Sequence, residues 1–189
     1  NKEKKDIYLI RLSGLFKIIN IISSKMSNSK LKIFITGAAG FLGSHLAEHL
    51  AKIGHNIIGV DSMISGYEDN IPNNIEFHKT DCCDLNKMRE LMKDVDIVYH
   101  CAATAHEGLS VFSPYIITKN NYLASVSVFS AAITHKVKRI IYCSSMARYG
   151  SQKTPFVENM APLPEDPYGI SKVAAENVLI NLCELNNIE

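Results

Sequence analysis

Three glycines, each two residues from the next, lie in the stretch IFITGAAGFLGSHLAEHL (Ile33–Leu50) and constrain this chain more than any other feature. Ahead of them, Ile33, Phe34, Ile35 and Thr36 are β-branched or aromatic, as suits a buried strand. Behind them, Phe41, Leu42, Leu46 and Leu50 recur at helical spacing. A strand, a glycine turn and a helix in that order make a phosphate cradle. The turn lets backbone approach a diphosphate, and the helix N-terminus offers unpaired N–H groups at the positive end of its dipole. Gly37, Gly40 and Gly43, with Phe41 and Leu42 between them, are therefore candidate binding residues.

The alternation continues along the chain. Expected strands cover Lys32–Thr36, Asn56–Asp61, Ile75–Asp81, residues 96–103 and Val137–Ser145. Expected helices cover Phe41–Ile53, Leu85–Val95, Ser113–His135 and a last segment from Pro167. Strand alternating with helix predicts an α/β fold, a doubly wound parallel sheet covered on both faces.

Composition narrows the class. With 189 residues, 47% hydrophobic and 21% charged, the chain suits one globular domain, and a net charge of +1 argues against a dedicated nucleic-acid surface. Residues 1–30 hold seven Lys/Arg against two Asp/Glu, so the start is basic and the rest mildly acidic. Within it, Ile7–Ile22 is apolar but broken by Arg11 and Lys17, too short and too charged for a membrane span. It reads as an amphipathic surface helix, a targeting segment or, preferably, sequence upstream of the fold, because Met26 and a polar SNSK run precede the first strand. The domain reading is an extension at 1–30 and a nucleotide-binding domain at 31–189. Five cysteines, Cys82, Cys83, Cys101, Cys143 and Cys183, form no C-x-x-C pair. They read as reduced thiols of a cytoplasmic protein, used as small core residues, with no metal site.

Further candidates follow from the strand ends. Asp61 closes the second strand eighteen residues after Gly43, where a carboxylate can accept from ribose hydroxyls. The segment after it, DSMISGYED, has no Arg or Lys to hold a 2′-phosphate, which favours NAD over NADP. Asp81 ends the third strand and reads equally as an adenine contact or as a solvated or helix-capping carboxylate. Cys101, Ala102 and Ala103 end the fourth strand with small side chains that admit a cofactor close to backbone; His100 before them reads as a satisfied core histidine. Tyr168 and Lys172 are four residues apart, hence on one helix face, where an ammonium lowers the pKa of a phenol and fits it for proton transfer. Ser144 and Ser145, at the carboxyl end of the fifth strand, are placed to bond a reacting oxygen or to cap a turn. Asn121 in the long helix reads as a water or kink site, or as a polar residue facing solvent.

Taken together, these residues resemble the NAD-dependent epimerase/dehydratase family of the extended short-chain dehydrogenase/reductase superfamily. The resemblance rests on TGAAGFLGSHL, VYHCAA, KRIIYCSSMARYG and PYGISKVAAE, which together span Leu31 onwards. It implies a Rossmann-type fold, bound NAD and a nucleotide-sugar substrate similar to that of UDP-glucose 4-epimerase. It aligns Ser145 with the catalytic Ser/Thr, Tyr168 with the general acid/base, Lys172 with its partner, and Asn121 and Ser144 with cofactor-side positions. It implies a transient 4-keto sugar and two long helices able to pair subunits in a homodimer. Two departures qualify it. Dehydratases of the family carry Asp-Glu after the catalytic Ser/Thr, where Met146 and Ala147 stand here, which points to an epimerase or a reductase. Family members also continue for roughly 120–150 residues with further strands and a sugar-binding domain, so this chain reads as an N-terminal part. The alternatives are a reductase or dehydrogenase of the superfamily and a non-catalytic NAD-binding module. Arg148 before Tyr149 is unusual, and one reading turns it towards a substrate diphosphate.

Overall fold

The computed structural model describes residues 30–189; the readings of residues 1–29, including Ile7–Ile22, lie outside the described residues. Five strands, β1 (Lys32–Thr36), β2 (Asn56–Asp61), β3 (Glu76–Lys79), β4 (Ile97–His100) and β5 (Arg139–Tyr142), form one sheet in the order β3-β2-β1-β4-β5. All four pairings are parallel. The chain winds outward from β1 to β3 on one side, then returns to add β4 and β5 on the other. That reversal opens a crevice beyond the carboxyl ends of β1 and β4, where ligands of such sheets bind.

The helices are α1 (Phe41–Lys52), α2 (Leu85–Leu91), α3 (Glu107–Ser110), α4 (Pro114–Ile117), α5 (Ala124–Thr134) and α6 (Pro167–Asn186). One core joins Phe34, Ile58, Val60, Val98 and Ile140 of the strands to Met88, Val128, Phe129 and Ala175 of α2, α5 and α6. Ile33 and Ile35 point to the other face by the strand's period of two, where α1 packs through buried Leu46, Ala47 and Leu50. The doubly wound sheet expected from sequence is the one observed.

Several boundaries differ from expectation. The strands at 96–103 and Val137–Ser145 stop early, at His100 and Tyr142. β1 ends at Thr36, whose ladder partner is His100, and His100 in turn pairs with Tyr142, so beyond that level the neighbours have no partner. The residues freed in this way become the loops that line the site. β3 is also shorter than Ile75–Asp81. Asp84, not Asp81, caps α2, accepting from the Lys87 N–H at 3.0 Å. The helix expected at Ser113–His135 runs from Pro114 to Thr134 but contains a π-helical segment, Thr118–Leu123, between α4 and α5. The short α3 carries too little periodicity to be read from sequence.

Candidate functional site

The glycine turn is tight because backbone occupies the space a side chain would need. Gly37 has φ +70, and a Cβ there would lie 2.9 Å from the Ala102 nitrogen. A Cβ on Gly43 would lie 2.1 Å from the Gly37 carbonyl oxygen, so the first turn of α1 can seat itself only on a glycine. The Gly40 N–H donates to the Gly37 carbonyl at 3.0 Å, closing the turn. Asp61 is buried at the end of β2 and holds this loop in place. One oxygen accepts from the Ala39 N–H at 3.0 Å, the other from the Met63 N–H at 2.8 Å.

Beyond the turn lies a cleft of about 250 Å³. Ten of the residues singled out in the sequence line it: Gly37, Gly40, Phe41, Leu42, Gly43, Asp61, Asp81, Cys101, Ala102 and Ala103. The sequence reading missed Ser62, Ile64, Ser65 and Gly66 on one wall and Thr104 and Asn120 on another. These loop residues carry no periodic signal. Asp81 accepts from the Cys83 N–H at 2.8 Å and lies 3.4 Å from the Lys119 ammonium. Its burial raises the carboxyl pKa, but these donors outweigh that and hold it below the ordinary value.

Asn121 and Ser144 stand outside the cleft's lining. Asn121 is buried and clamps the loop after β4: its Oδ1 accepts from the Thr104 N–H at 2.7 Å and its Nδ2 donates to the Thr104 carbonyl at 3.2 Å. It sits inside the π-helical segment and is buried, so the surface reading fails. The Ser144 hydroxyl donates to Glu176 of α6.

His100 is a fully buried connector. The Ser125 hydroxyl donates to the Asn121 carbonyl, so it accepts from His100 Nε2–H at 2.8 Å. The Thr36 hydroxyl accepts from the Ala102 N–H at 3.0 Å and donates to His100 Nδ1 at 2.7 Å. This directional chain needs a neutral imidazole, and burial pulls His100 down to about 3. It ties β1, the end of β4 and the π-helical segment together.

On the other side of β4 lies the Tyr-Lys helix. Asp166 caps α6, accepting from the Gly169 N–H at 2.8 Å, and Pro167 opens its first turn. Tyr168 and Lys172 are both buried on the face that meets the end of β5. The Ser145 hydroxyl faces the Tyr168 phenol and draws its pKa down, and it accepts from the Ala147 N–H at 3.2 Å, capping the 3₁₀ turn Met146–Tyr149. Lys172 Nζ donates to the Cys143 carbonyl at 2.7 Å and lies 4.6 Å from the Tyr142 ring centre and 6.0 Å from that of Tyr168. Burial draws the Lys172 ammonium down to about 8. Burial also raises the Tyr168 pKa, against the pull of Ser145. The lowering expected from the Tyr-Lys spacing is therefore not what the chain alone produces: desolvation wins over a lysine held on a carbonyl. The cleft and this helix meet through sulfur. Cys101, on the cleft wall, lies 3.7 Å from Cys143 Sγ to Sγ.

Arg148 does not face outward to a diphosphate. It is buried and paired with Glu176, Nη2 to Oε2, at 3.1 Å.

The fold and site define a dinucleotide-binding α/β domain with a Ser-Tyr-Lys group at its edge, and comparison with known proteins places it further. The sequence model of the NAD dependent epimerase/dehydratase family matches residues 33–189, and the chain belongs to that family. It is 30% identical over 152 residues to UDP-glucose 4-epimerase of Streptomyces lividans, covering 78% of this chain and 46% of that protein. It is 34% identical over 133 residues to a UDP-N-acetyl-alpha-D-glucosaminuronate decarboxylase of Bacillus cytotoxicus, covering 69% and 41%. Among solved structures, UDP-glucose 4-epimerase of Thermotoga maritima with UDP-glucose superposes with a TM-score of 0.81 at 31% identity, over 84% of this chain and 53% of that one. The Brucella ovis enzyme in complex with NAD gives 0.79 at 30%, over 84% and 50%. The chain thus spans about half the length of the relatives it matches. Among the described residues no helix is long and apolar enough to cross a membrane.

Proposed function

We propose that this chain is the cofactor-binding and proton-transferring part of an NAD-dependent nucleotide-sugar epimerase, acting on a UDP-hexose. The observation that carries this reading is the continuity of the two halves. The cleft wall at Cys101 touches Cys143, and the Cys143 carbonyl holds Lys172 beside Tyr168 and Ser145. The residues suit a dinucleotide. The Gly37–Gly43 turn and the N-terminus of α1 would hold its diphosphate, because the turn can pack tightly on its own backbone only while no Cβ stands at Gly37 and Gly43, and the helix start offers unpaired N–H groups. Asp61 would accept from the ribose, Asp81 would meet the adenine side, and Cys101–Ala103 would offer backbone along the cleft. Asn121 and Ser144 act behind these, holding the loops. NAD, when bound, supplies a reversible hydride acceptor and, in its oxidised form, a positive charge.

The chain's own chemistry is proton transfer. Tyr168 takes the proton of the sugar hydroxyl at its phenol oxygen as the carbon is oxidised, and returns it as the carbon is reduced. Ser145 orients the reacting oxygen towards that phenol. Lys172, an ammonium on a carbonyl anchor, favours the phenolate once the site is filled. Burial raises the Tyr168 pKa, and added positive charge beside it works in the opposite direction.

The test is product analysis with UDP-glucose and NAD, on the longest protein that carries this sequence. An epimerase gives the 4-epimer with no net NADH. Accumulating NADH would make the protein a dehydrogenase, and NAD binding without either product would make it a binding module.

A further inference from the structure

Glu176 has no part in the roles above, and Arg148 is buried instead of turned towards a diphosphate. Both belong to one arrangement. Successive turns of α6 meet the end of β5: Tyr168 faces Ser145, Lys172 bonds the Cys143 carbonyl at 2.7 Å, and Glu176 accepts from the Ser144 hydroxyl. The second Glu176 oxygen takes Arg148 Nη2 at 3.1 Å, with the two side chains only 11% and 10% exposed. Arg148 Nη1 donates to the Tyr149 hydroxyl at 3.2 Å, which fixes the guanidinium on the turn that follows Ser145. Both carboxylate oxygens are thus occupied. Lys172, one helical turn before Glu176, faces the Cys143 carbonyl and the Tyr142 ring.

We infer that Arg148 and Glu176 are positioning residues for the Tyr-Lys pair: Arg148 holds the Glu176 carboxylate on Ser144, and so leaves the Lys172 ammonium on the Cys143 carbonyl beside Tyr168. The effect on turnover rests on the reading of Tyr168 proposed above; the placement itself does not. A buried carboxylate that loses its counter-ion is left uncompensated, and the cation facing Glu176 at a spacing of four on α6 is Lys172. Tyr168 is faced by Glu107 of α3, Asp166 at the head of α6, Cys143 of the β5 end and Lys172. Glu176 is faced by Arg148, Lys172 and the Tyr142 phenol, and its charge favours the protonated form of both latter groups. Removing Arg148 alone adds net negative charge to this cluster, so the Tyr168 phenol should hold its proton to higher pH.

The experiment titrates the Tyr168 phenol in the whole protein with NAD, by ultraviolet absorbance, as the difference between each form and its Tyr168→Phe counterpart. Arg148→Met should raise the titration midpoint by about half to one pH unit. Arg148→Met combined with Glu176→Gln should return it to the original value, because the unpaired charge is gone. Glu176→Gln alone should lower it. That variant also stands in if Arg148→Met does not fold. Arg148→Lys should keep it. Where turnover is measurable, Arg148→Met should lower kcat about tenfold with KM little changed. An unmoved midpoint in both Arg148→Met and Glu176→Gln, or a double variant that stays shifted, overturns the inference. Midpoints that move as stated in a protein without turnover leave the inference standing and remove the epimerase reading.

Discussion

The cofactor cleft and the Tyr-Lys helix are built from different materials. At the cleft the working parts are main chain: the Gly37–Gly43 turn, the N–H of Ala39 and the backbone after β4, with Asp61 as the buried carboxylate that holds them. At the helix they are side chains: a phenol, an ammonium, two hydroxyls, a carboxylate and a guanidinium, bonded to one another and to one carbonyl. The first region cannot accept an added atom. The second cannot accept a lost charge. Steric changes should therefore break binding and spare the chemistry, and isosteric removal of polar atoms should do the reverse.

The largest expected effect is on the second region. Tyr168→Phe removes one oxygen and should lower turnover by about 10²–10⁴-fold, read by product formation from UDP-glucose, with NAD affinity almost unchanged. Next comes Gly43→Ala, whose Cβ would sit 2.1 Å from the Gly37 carbonyl oxygen. It should weaken NAD binding by about 10–100-fold, read by calorimetry, with the sheet intact by circular dichroism. The smallest effect lies behind the cleft, where His100 ties β1, the end of β4 and the π-helical segment together. Its folded pKa, about 3, lies below its ordinary 6.5. The unfolded chain therefore binds the extra proton first, and the stability that neutral His100 contributes is present above pH 6.5 and lost as pH falls towards 3. Between pH 6.5 and 5, urea unfolding should show a loss of about 2 kcal/mol relative to His100→Gln, since one proton is worth about 1.4 kcal/mol per pH unit. Parallel slopes in the two proteins would mean that His100 does not titrate against the fold.

The same contrast governs what could be read from sequence. Motifs that act through local spacing were legible: the glycine turn, Asp61 at a strand end, and Tyr168 and Lys172 one turn apart. The alternation of strand and helix gave the sheet, because a buried parallel sheet leaves continuous apolar runs such as Ile33–Ile35. What failed was set by distant partners. β4 and β5 end where β1 ends, which neither segment's own residues announce. The π-helical segment at Thr118–Leu123 holds Asn121, whose partner Thr104 lies across a loop. Arg148 has its counter-ion 28 residues away on another element, so only folding reveals the pair. Glu176 was within reach, since it continues the four-residue spacing of Tyr168 and Lys172. Spacing places the Lys172 ammonium near the Tyr168 phenol but does not show that both are buried, and burial raises the phenol's pKa in the chain alone.

The most direct measurement is calorimetric NAD binding by the unchanged protein, Gly43→Ala and Tyr168→Phe, side by side. If binding resides in the glycine cleft and proton transfer in the helix, NAD affinity drops sharply in Gly43→Ala and is kept in Tyr168→Phe. Equal loss in both, or no loss in Gly43→Ala, would contradict the division of the site on which this account rests.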